Sequence, residues 1–263
     1  MAERSINGTT LYYEERGSGL PVVLMHGFPL DHRIWSAQLD ELSGQYRVIV
    51  PDLRGFGRSK SNTPFTMKSL AEDICALLRA INAIPCVLGG LSMGGYVALA
   101  FAKEYQNDLR GLMLIDTRAE ADTAEGKAGR QKMIDLARTG GSKAVADQMM
   151  PKMLAQSTPT DQPAVAQQLR QIMEACPPLT IEHALAAMRD REDYTAFLPS
   201  IAGPTLIIVG QEDAITPPKM AEAMNQQIPR SKLVVIPGSG HMSPMEKPQD
   251  VTRAMQDFLR QVG

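Results

Sequence analysis

The sequence predicts an α/β protein: a mostly parallel central sheet flanked by helices, with an all-helical segment inserted between two core strands. Three observations predict it. Short runs of Val, Ile and Leu recur along the chain and are apolar at both alternating positions, as in strands covered on two faces. Helical patterns separate these runs, and strand–helix–strand repetition implies parallel pairing with helices on both sides. One interval, from about Thr117 to Leu198, carries helical patterns and no convincing strand. The 263 residues allow one large domain or two small ones at roughly 150 residues per domain. The reading is a core of residues 1–117 and 199–263, with residues 118–198 as a helical cap over the C-terminal edge of the sheet.

In chain order, Asn7-Gly8 is the turn signal of an N-terminal hairpin. Pro21–Met25 is the first buried strand, followed by a helix beginning near His32, with Trp35 expected in the core. Arg47–Val50 is the next strand, Thr66–Ile81 a helix, Cys86–Leu88 a strand, Met93–Tyr105 a helix and Leu112–Ile115 a strand. The cap pattern gives four helices, Lys127–Arg138, Ser142–Leu154, Ala164–Ala175 and Ile181–Met188, punctuated by Gly140-Gly141, Pro159, Pro163 and Pro177-Pro178. The chain then returns to strand Thr205–Val209, helix Pro218–Gln227, strand Leu233–Ile236 and helix Pro248–Gln261.

Composition narrows the function classes. With 44% apolar and 21% charged residues the chain can bury a sizeable core. Its 27 basic and 29 acidic residues leave a net charge of −2, without the basic footprint of a nucleic-acid binder or a run suited to an anionic membrane. The apolar runs are too short to span a bilayer, and MAERSINGTT lacks the apolar region of a secretory signal. Cys75, Cys86 and Cys176 are odd in number and lack zinc-ligand spacing, so reduced, inert thiols in a cytoplasm are expected.

The most informative segment is Gly90-Leu91-Ser92-Met93-Gly94-Gly95, a serine wedged between a predicted strand and a predicted helix. Glycines at 90 and 94 let backbones pass closely in a sharp turn that lifts the Ser92 hydroxyl above the sheet. The following helix points its N-terminus at the site, favouring developing negative charge. Met25-His26-Gly27-Phe28-Pro29 follows a strand and is placed to supply an oxyanion donor. The oxyanion hole is therefore assigned to the backbone N–H groups of Phe28 and Met93.

A serine nucleophile needs a base, and the base an orienting acid. Asp213, just after Thr205–Val209, is the candidate acid, with Glu212 as a rival carboxylate. His241, on the loop after Leu233–Ile236, is the candidate base. His26 reads as a structural hydrogen-bonder; His32 and His183 read as ordinary exposed residues, with His183 a possible reach to substrate. Pro51-Asp52-Leu53-Arg54-Gly55-Phe56-Gly57-Arg58-Ser59 reads as architectural. Methionines 93, 133, 149, 150, 153, 173 and 188 lie in the serine turn or the cap and serve either as core or as an adaptable pocket wall.

With these motifs in place, the sequence resembles the α/β-hydrolase superfamily over nearly its whole length, most weakly across the cap. The Asp52–Ser59 loop resembles a D-x-R-G-x-G-x-S loop frequent there. Gly210–Asp213 with Thr216-Pro217, and His241 with Glu246 and Pro248, also resemble family positions. The chain order Ser92, Asp213, His241 is that of the α/β-hydrolase fold. Among subgroups the chain is most similar to small esterases, 3-oxoadipate enol-lactonases and cofactor-free haloperoxidases or perhydrolases, which share a Ser-Met-Gly-Gly turn.

The resemblance implies ester or lactone hydrolysis without a metal or organic cofactor, on a small-molecule substrate. The expected activity is a serine carboxylesterase for small to medium acyl esters. An enol-lactonase, a perhydrolase or a C–C bond hydrolase would use the same groups, and a non-catalytic ligand-binding member is the reading from another class. Haloalkane dehalogenases and epoxide hydrolases would need a carboxylate nucleophile where this chain has Ser92.

Overall fold

Asn7 and Gly8, at φ values of 47° and 76°, turn the chain between strands β1 (Ala2–Ile6) and β2 (Thr9–Arg16). Two successive positive φ values match the right-handed twist of a hairpin, which is why Asn-Gly marks such turns. The structure, a computed structural model, describes residues 2–262. The remaining strands are β3 (Pro21–Met25), β4 (Arg47–Pro51), β5 (Cys86–Leu91), β6 (Leu109–Ile115), β7 (Thr205–Gly210) and β8 (Ser231–Ile236). They form one eight-stranded sheet in the order β1-β2-β4-β3-β5-β6-β7-β8. The β1–β2 and β2–β4 pairs are antiparallel and every later pair is parallel. All six strands from β3 onward therefore end at one edge, where the loops that follow them converge.

The helices are α1 (Ser36–Leu42), α2 (Met67–Ala80), α3 (Met93–Tyr105), α4 (Ala124–Met153), α5 (Thr158–Asp161), α6 (Pro163–Ala175), α7 (Pro178–Arg189), α8 (Pro218–Gln227), α9 (Ser243–Glu246) and α10 (Pro248–Val262). Alternation along the strands divides the core in two. Val23, Ile49, Leu88 and Leu112 pack with residues of α2, α3 and α8 on one face. Val22, Leu24, Val48 and Met113 pack with α1, α10 and the fully buried Trp35 on the other. The edge strand β8 is only partly covered, with Val235 40% exposed.

Helix α2 begins as its sequence pattern implies. Thr66 Oγ1 accepts from the Ser69 N–H at 3.0 Å and Ser69 Oγ accepts from the Thr66 N–H at 2.8 Å, a reciprocal cap. Strand β5 runs past the expected Leu88, since Gly89 and Gly90 pair with Met113 and Leu114, and β6 begins earlier than expected, at Leu109, which pairs with Cys86. A ladder needs only backbone groups. The helix expected near His32 starts there as a 3-10 turn, His32–Trp35, and continues as α1.

Between β6 and β7 the described chain contains helices and no strand. The two helices expected on either side of Gly140-Gly141 are both present: the helical run α4 breaks at Gly141, whose φ of 68° and ψ of −169° are not helical. Asp122, just before α4, pairs with Arg130 at 3.0 Å and with Arg191 at 2.8 Å, closing the helical segment on itself. This segment touches the loops after β4, β7 and β8: Thr180 Oγ1 donates to the Gly55 carbonyl, the Gln156 N–H to Glu212, and the Ala155 N–H to Glu246. It therefore lies against the C-terminal edge. Among the described residues, no helix is long and apolar enough to cross a membrane.

Candidate active site

Ser92 occupies the junction of β5 and α3 with φ 53° and ψ −112°. A non-glycine residue held there costs of order 1–3 kcal/mol, so its surroundings must enforce the conformation. They do so from three sides. The Ser92 N–H donates to the Ile115 carbonyl at 2.9 Å, and its own carbonyl accepts from Gly95 N–H at 2.9 Å and Thr117 Oγ1 at 2.8 Å. The flanking glycines are sterically required. A Cβ on Gly90 would lie 2.1 Å from the Gly94 carbonyl oxygen, and one on Gly94 would lie 2.5 Å from that of Met25.

Met93 opens α3, at a helix terminus whose N–H groups lack intrahelical partners. The loop after β3 lies beside it, since a Cβ on Gly27 would be 3.2 Å from that of Ser92. Phe28 follows in that loop and is buried. His26 sits beneath: its Nδ1–H donates to the Gly27 carbonyl at 2.8 Å, and its Nε2 accepts from the Leu53 N–H at 3.0 Å. Burial pulls its pKa below the ordinary histidine value, so it is a neutral strut for the loop.

Asp213 and His241 meet. The His241 Nδ1–H donates to Asp213 Oδ2 at 2.8 Å, with both residues buried. Thr216 completes the acid's shell, donating its hydroxyl to Oδ2 at 2.7 Å and its N–H to Oδ1 at 2.9 Å; the Ile215 N–H adds 2.8 Å to Oδ1. Burial alone would raise the Asp213 pKa, but the His241 charge and these hydrogen bonds outweigh it and hold it below the ordinary value. Burial likewise works against charge on His241, and Asp213, with Asp116 and Glu246 behind it, outweighs that and raises its pKa. The rival Glu212 points elsewhere and accepts from the Gln156 N–H at 3.3 Å.

Two further carboxylates at this edge were not singled out from the sequence as site residues. Asp116, at the end of β6 with φ 45°, accepts from the Gly210 N–H at 2.8 Å and from Ser243 Oγ at 2.6 Å. Burial, with Asp213 nearby, pushes its pKa up to about 8. Its position directly after the Leu112–Ile115 run was the available signal. Glu246 is buried and joins the His241 loop to the helical segment.

Residues 21–248 match the protein family described as the alpha/beta hydrolase fold. The chain belongs to that family. It is 44% identical to a thermophilic esterase from Thermogutta terrifontis solved with malate bound, with a TM-score of 0.97 over 100% of this chain and 99% of that one. It is 26% identical to an enol-lactonase from Burkholderia xenovorans LB400, with a TM-score of 0.92 over 98% of this chain and 100% of that one. A putative non-heme bromoperoxidase, BpoC, of Mycobacterium tuberculosis (strain CDC 1551 / Oshkosh) is 27% identical, with 96% of this chain and 98% of that protein aligned. The resemblances to esterases, enol-lactonases and haloperoxidases are thus borne out as relationships of this α/β hydrolase.

The other sequence-level expectations divide. The Asp52–Ser59 loop is architectural: Asp52 accepts from the His32 and Arg58 N–H groups, each at 2.8 Å, and Arg54 grips Asp73 through two hydrogen bonds of 2.6 and 2.7 Å. His32 is not the exposed residue expected. The turn that follows Asp31 directs its ring onto Asp52, with Nδ1 at 2.8 Å, in a cleft of about 370 Å³ beside Tyr12, Glu14 and Arg58. His183 is partly buried, its ring 6.2 Å from that of Phe65. Met93, Met153, Met173 and Met188 are buried in the two apolar clusters, so packing is their evident role.

Proposed function

We propose that this α/β hydrolase is a serine carboxylesterase acting on small to medium acyl esters. Ser92 is the nucleophile, His241 the base and Asp213 the orienting acid, and the backbone N–H groups of Phe28 and Met93 form the oxyanion hole. Residues 118–198 are the cap that shapes the substrate site. One observation carries the reading: a buried Asp213–His241 hydrogen bond on the same sheet edge as a serine held at φ 53°. Strands β5 and β7 are separated only by β6, about 10 Å from one to the other at ~4.8 Å per strand. The His241 loop reaches back across part of that gap, since the Ser243 hydroxyl donates to Asp116 at the end of β6 at 2.6 Å.

In the first half-reaction His241 Nε2 takes the Ser92 hydroxyl proton as Oγ bonds to the ester carbonyl carbon. Asp213 fixes the tautomer with Nδ1 protonated and stabilises the imidazolium. The carbonyl oxygen becomes an oxyanion held by the Phe28 and Met93 N–H groups, and loss of one such donor costs roughly 10²–10³ in rate. The tetrahedral centre collapses, the C–O bond to the alcohol breaks, and His241 returns the proton to the departing alkoxide. Water then repeats the sequence on the acyl-enzyme and releases the acid. The chemistry draws on side chains, backbone donors and water, with a small-molecule ester or lactone as the partner. Three buried thiols, with that of Cys86 pushed by burial to about 12, suit a reducing cytoplasm.

Hydrolysis of p-nitrophenyl esters from acetyl to decanoyl tests the reading. Turnover should fall with acyl length and vanish in Ser92→Ala, with the fold intact by circular dichroism. Retention of most activity in that variant would overturn the assignment. The likeness to an enol-lactonase supports a second reading, in which the same groups open a cyclic ester. Weak turnover of the whole p-nitrophenyl series beside efficient lactone opening would select it. Failure of a fluorophosphonate to label Ser92 would instead leave a ligand-binding protein.

A further inference from the structure

The segment between α4 and α5 touches both loops that hold the Asp213–His241 pair. Glu246 is the hub. Its Oε2 accepts from the Ala155 N–H at 2.8 Å and the Thr158 hydroxyl at 2.6 Å, both in the cap. Its Oε1 accepts from the Gly240 N–H at 2.9 Å, the Met242 N–H at 3.3 Å and the Ser239 hydroxyl at 3.3 Å. The backbone on either side of His241 and the cap thus end on opposite oxygens of one buried carboxylate. All five partners donate, so the group must accept on both oxygens. A carboxamide of the same shape serves only one side.

Two further contacts run the same way. A Cβ on Gly240 would lie 2.4 Å from the Ala155 nitrogen and 2.5 Å from the Leu154 carbonyl carbon, so cap and histidine loop meet backbone to backbone. The Gln156 N–H reaches Glu212 at 3.3 Å, one residue before Asp213. Residues 154–158 therefore bear on the acid turn and the base loop together.

We propose that Glu246 is a positioning residue that couples the seating of the cap to the placement of the His241 imidazole. The inference rests on the triad reading given above. Hydrogen bonds to residues 240 and 242 fix the backbone from which the ring projects, and a misplacement of about 1 Å is enough to cost roughly 100-fold in rate. Substrate held by the cap and base held by the core then share one mechanical link.

Thr158→Val removes one cap-side donor at nearly constant volume, while Glu246→Gln breaks one side of the link and removes its charge. Wild type and both variants are compared for thermal midpoint, kcat and KM on p-nitrophenyl acetate, and rate of fluorophosphonate labelling at Ser92. Thr158→Val should lower kcat and the labelling rate together by ~10-fold, and Glu246→Gln by up to ~100-fold, below their unfolding temperatures. Asp213, Asp116 and Glu246 are the titratable groups that bear on His241. The acid limb of the pH profile should move to lower pH in Glu246→Gln and stay in place in Thr158→Val. Wild-type kcat and labelling rates in both variants, with only the thermal midpoint lowered, would overturn the coupling. Should Glu246→Gln fail to fold, Thr158→Val decides alone. Failure of the triad reading looks different: wild type itself would then neither turn over ester nor label at Ser92, and the coupling would fall with it.

Discussion

At the scale of single residues, the proposed chemistry depends on opposed shifts in two buried groups. Asp213 is held ionised by its donors, and its charge raises the His241 pKa above the ordinary value of 6.5. A base works only when neutral. The acid limb of kcat/KM is therefore expected above pH 6.5, activity rising as His241 loses its proton. In Asp213→Asn the main raising influence is gone, so the limb should move to lower pH while kcat falls by roughly 10⁴ through loss of the correct tautomer. A pH–rate profile of both proteins checks the sign. The adjacent carboxylates Glu212 and Asp213 show what a sequence leaves open at this scale. Which of two neighbours faces a histidine is decided by the turn in which Thr216 donates twice to Asp213. The roles of Asp116 and Glu246 were less legible still, because their partners Ser243 and Ala155 lie 127 and 91 residues away.

At the scale of elements, the β5–Ser92–α3 turn is where packing and backbone strain coincide. Gly94 lets the head of α3 rest on the Met25 and His26 carbonyls, and neither can yield like a flexible side chain. Gly94→Ala should lower stability by about 1–3 kcal/mol, the usual overpacking cost, and should depress kcat further by moving Met93 relative to Ser92. Urea denaturation and ester turnover on the same sample separate the two effects. Long amphipathic helices and buried strands were legible because their periodicity reports which face is covered. Gly140-Gly141 likewise marked the break within α4, where Gly141 leaves the helical conformation, whereas the helix start near His32 did not reveal that its first turn is 3-10 and only the seven residues after it are α-helical.

For the whole molecule, parallel pairing from β3 onward collects the loops after β3, β5, β6, β7 and β8 at one edge. The alternation of strands and helices was enough to infer this kind of sheet; the strand order was not, because it depends on crossovers that no local pattern records. The packed whole buries Cys75 in α2, Cys86 in β5 and Cys176 at the end of α6, and burial raises all three thiol pKa values. Native protein should react with DTNB only at the rate of unfolding, and ester hydrolysis should be insensitive to iodoacetamide. Rapid modification of even one thiol in the folded protein would contradict the burial described here.

The link at Glu246 also constrains what can be exchanged. Because the helical segment joins the core between β6 and β7, transplanting a different one looks like a change confined to two loop ends. The buried carboxylate makes it more demanding. A donor segment must bring a backbone N–H and a hydroxyl three residues apart, where Ala155 and Thr158 now stand. A graft without them leaves a carboxylate oxygen desolvated and unpaired, at a cost of about 1–3 kcal/mol or more for a charged group. New specificity can thus be grafted onto this core only together with the motif that docks it.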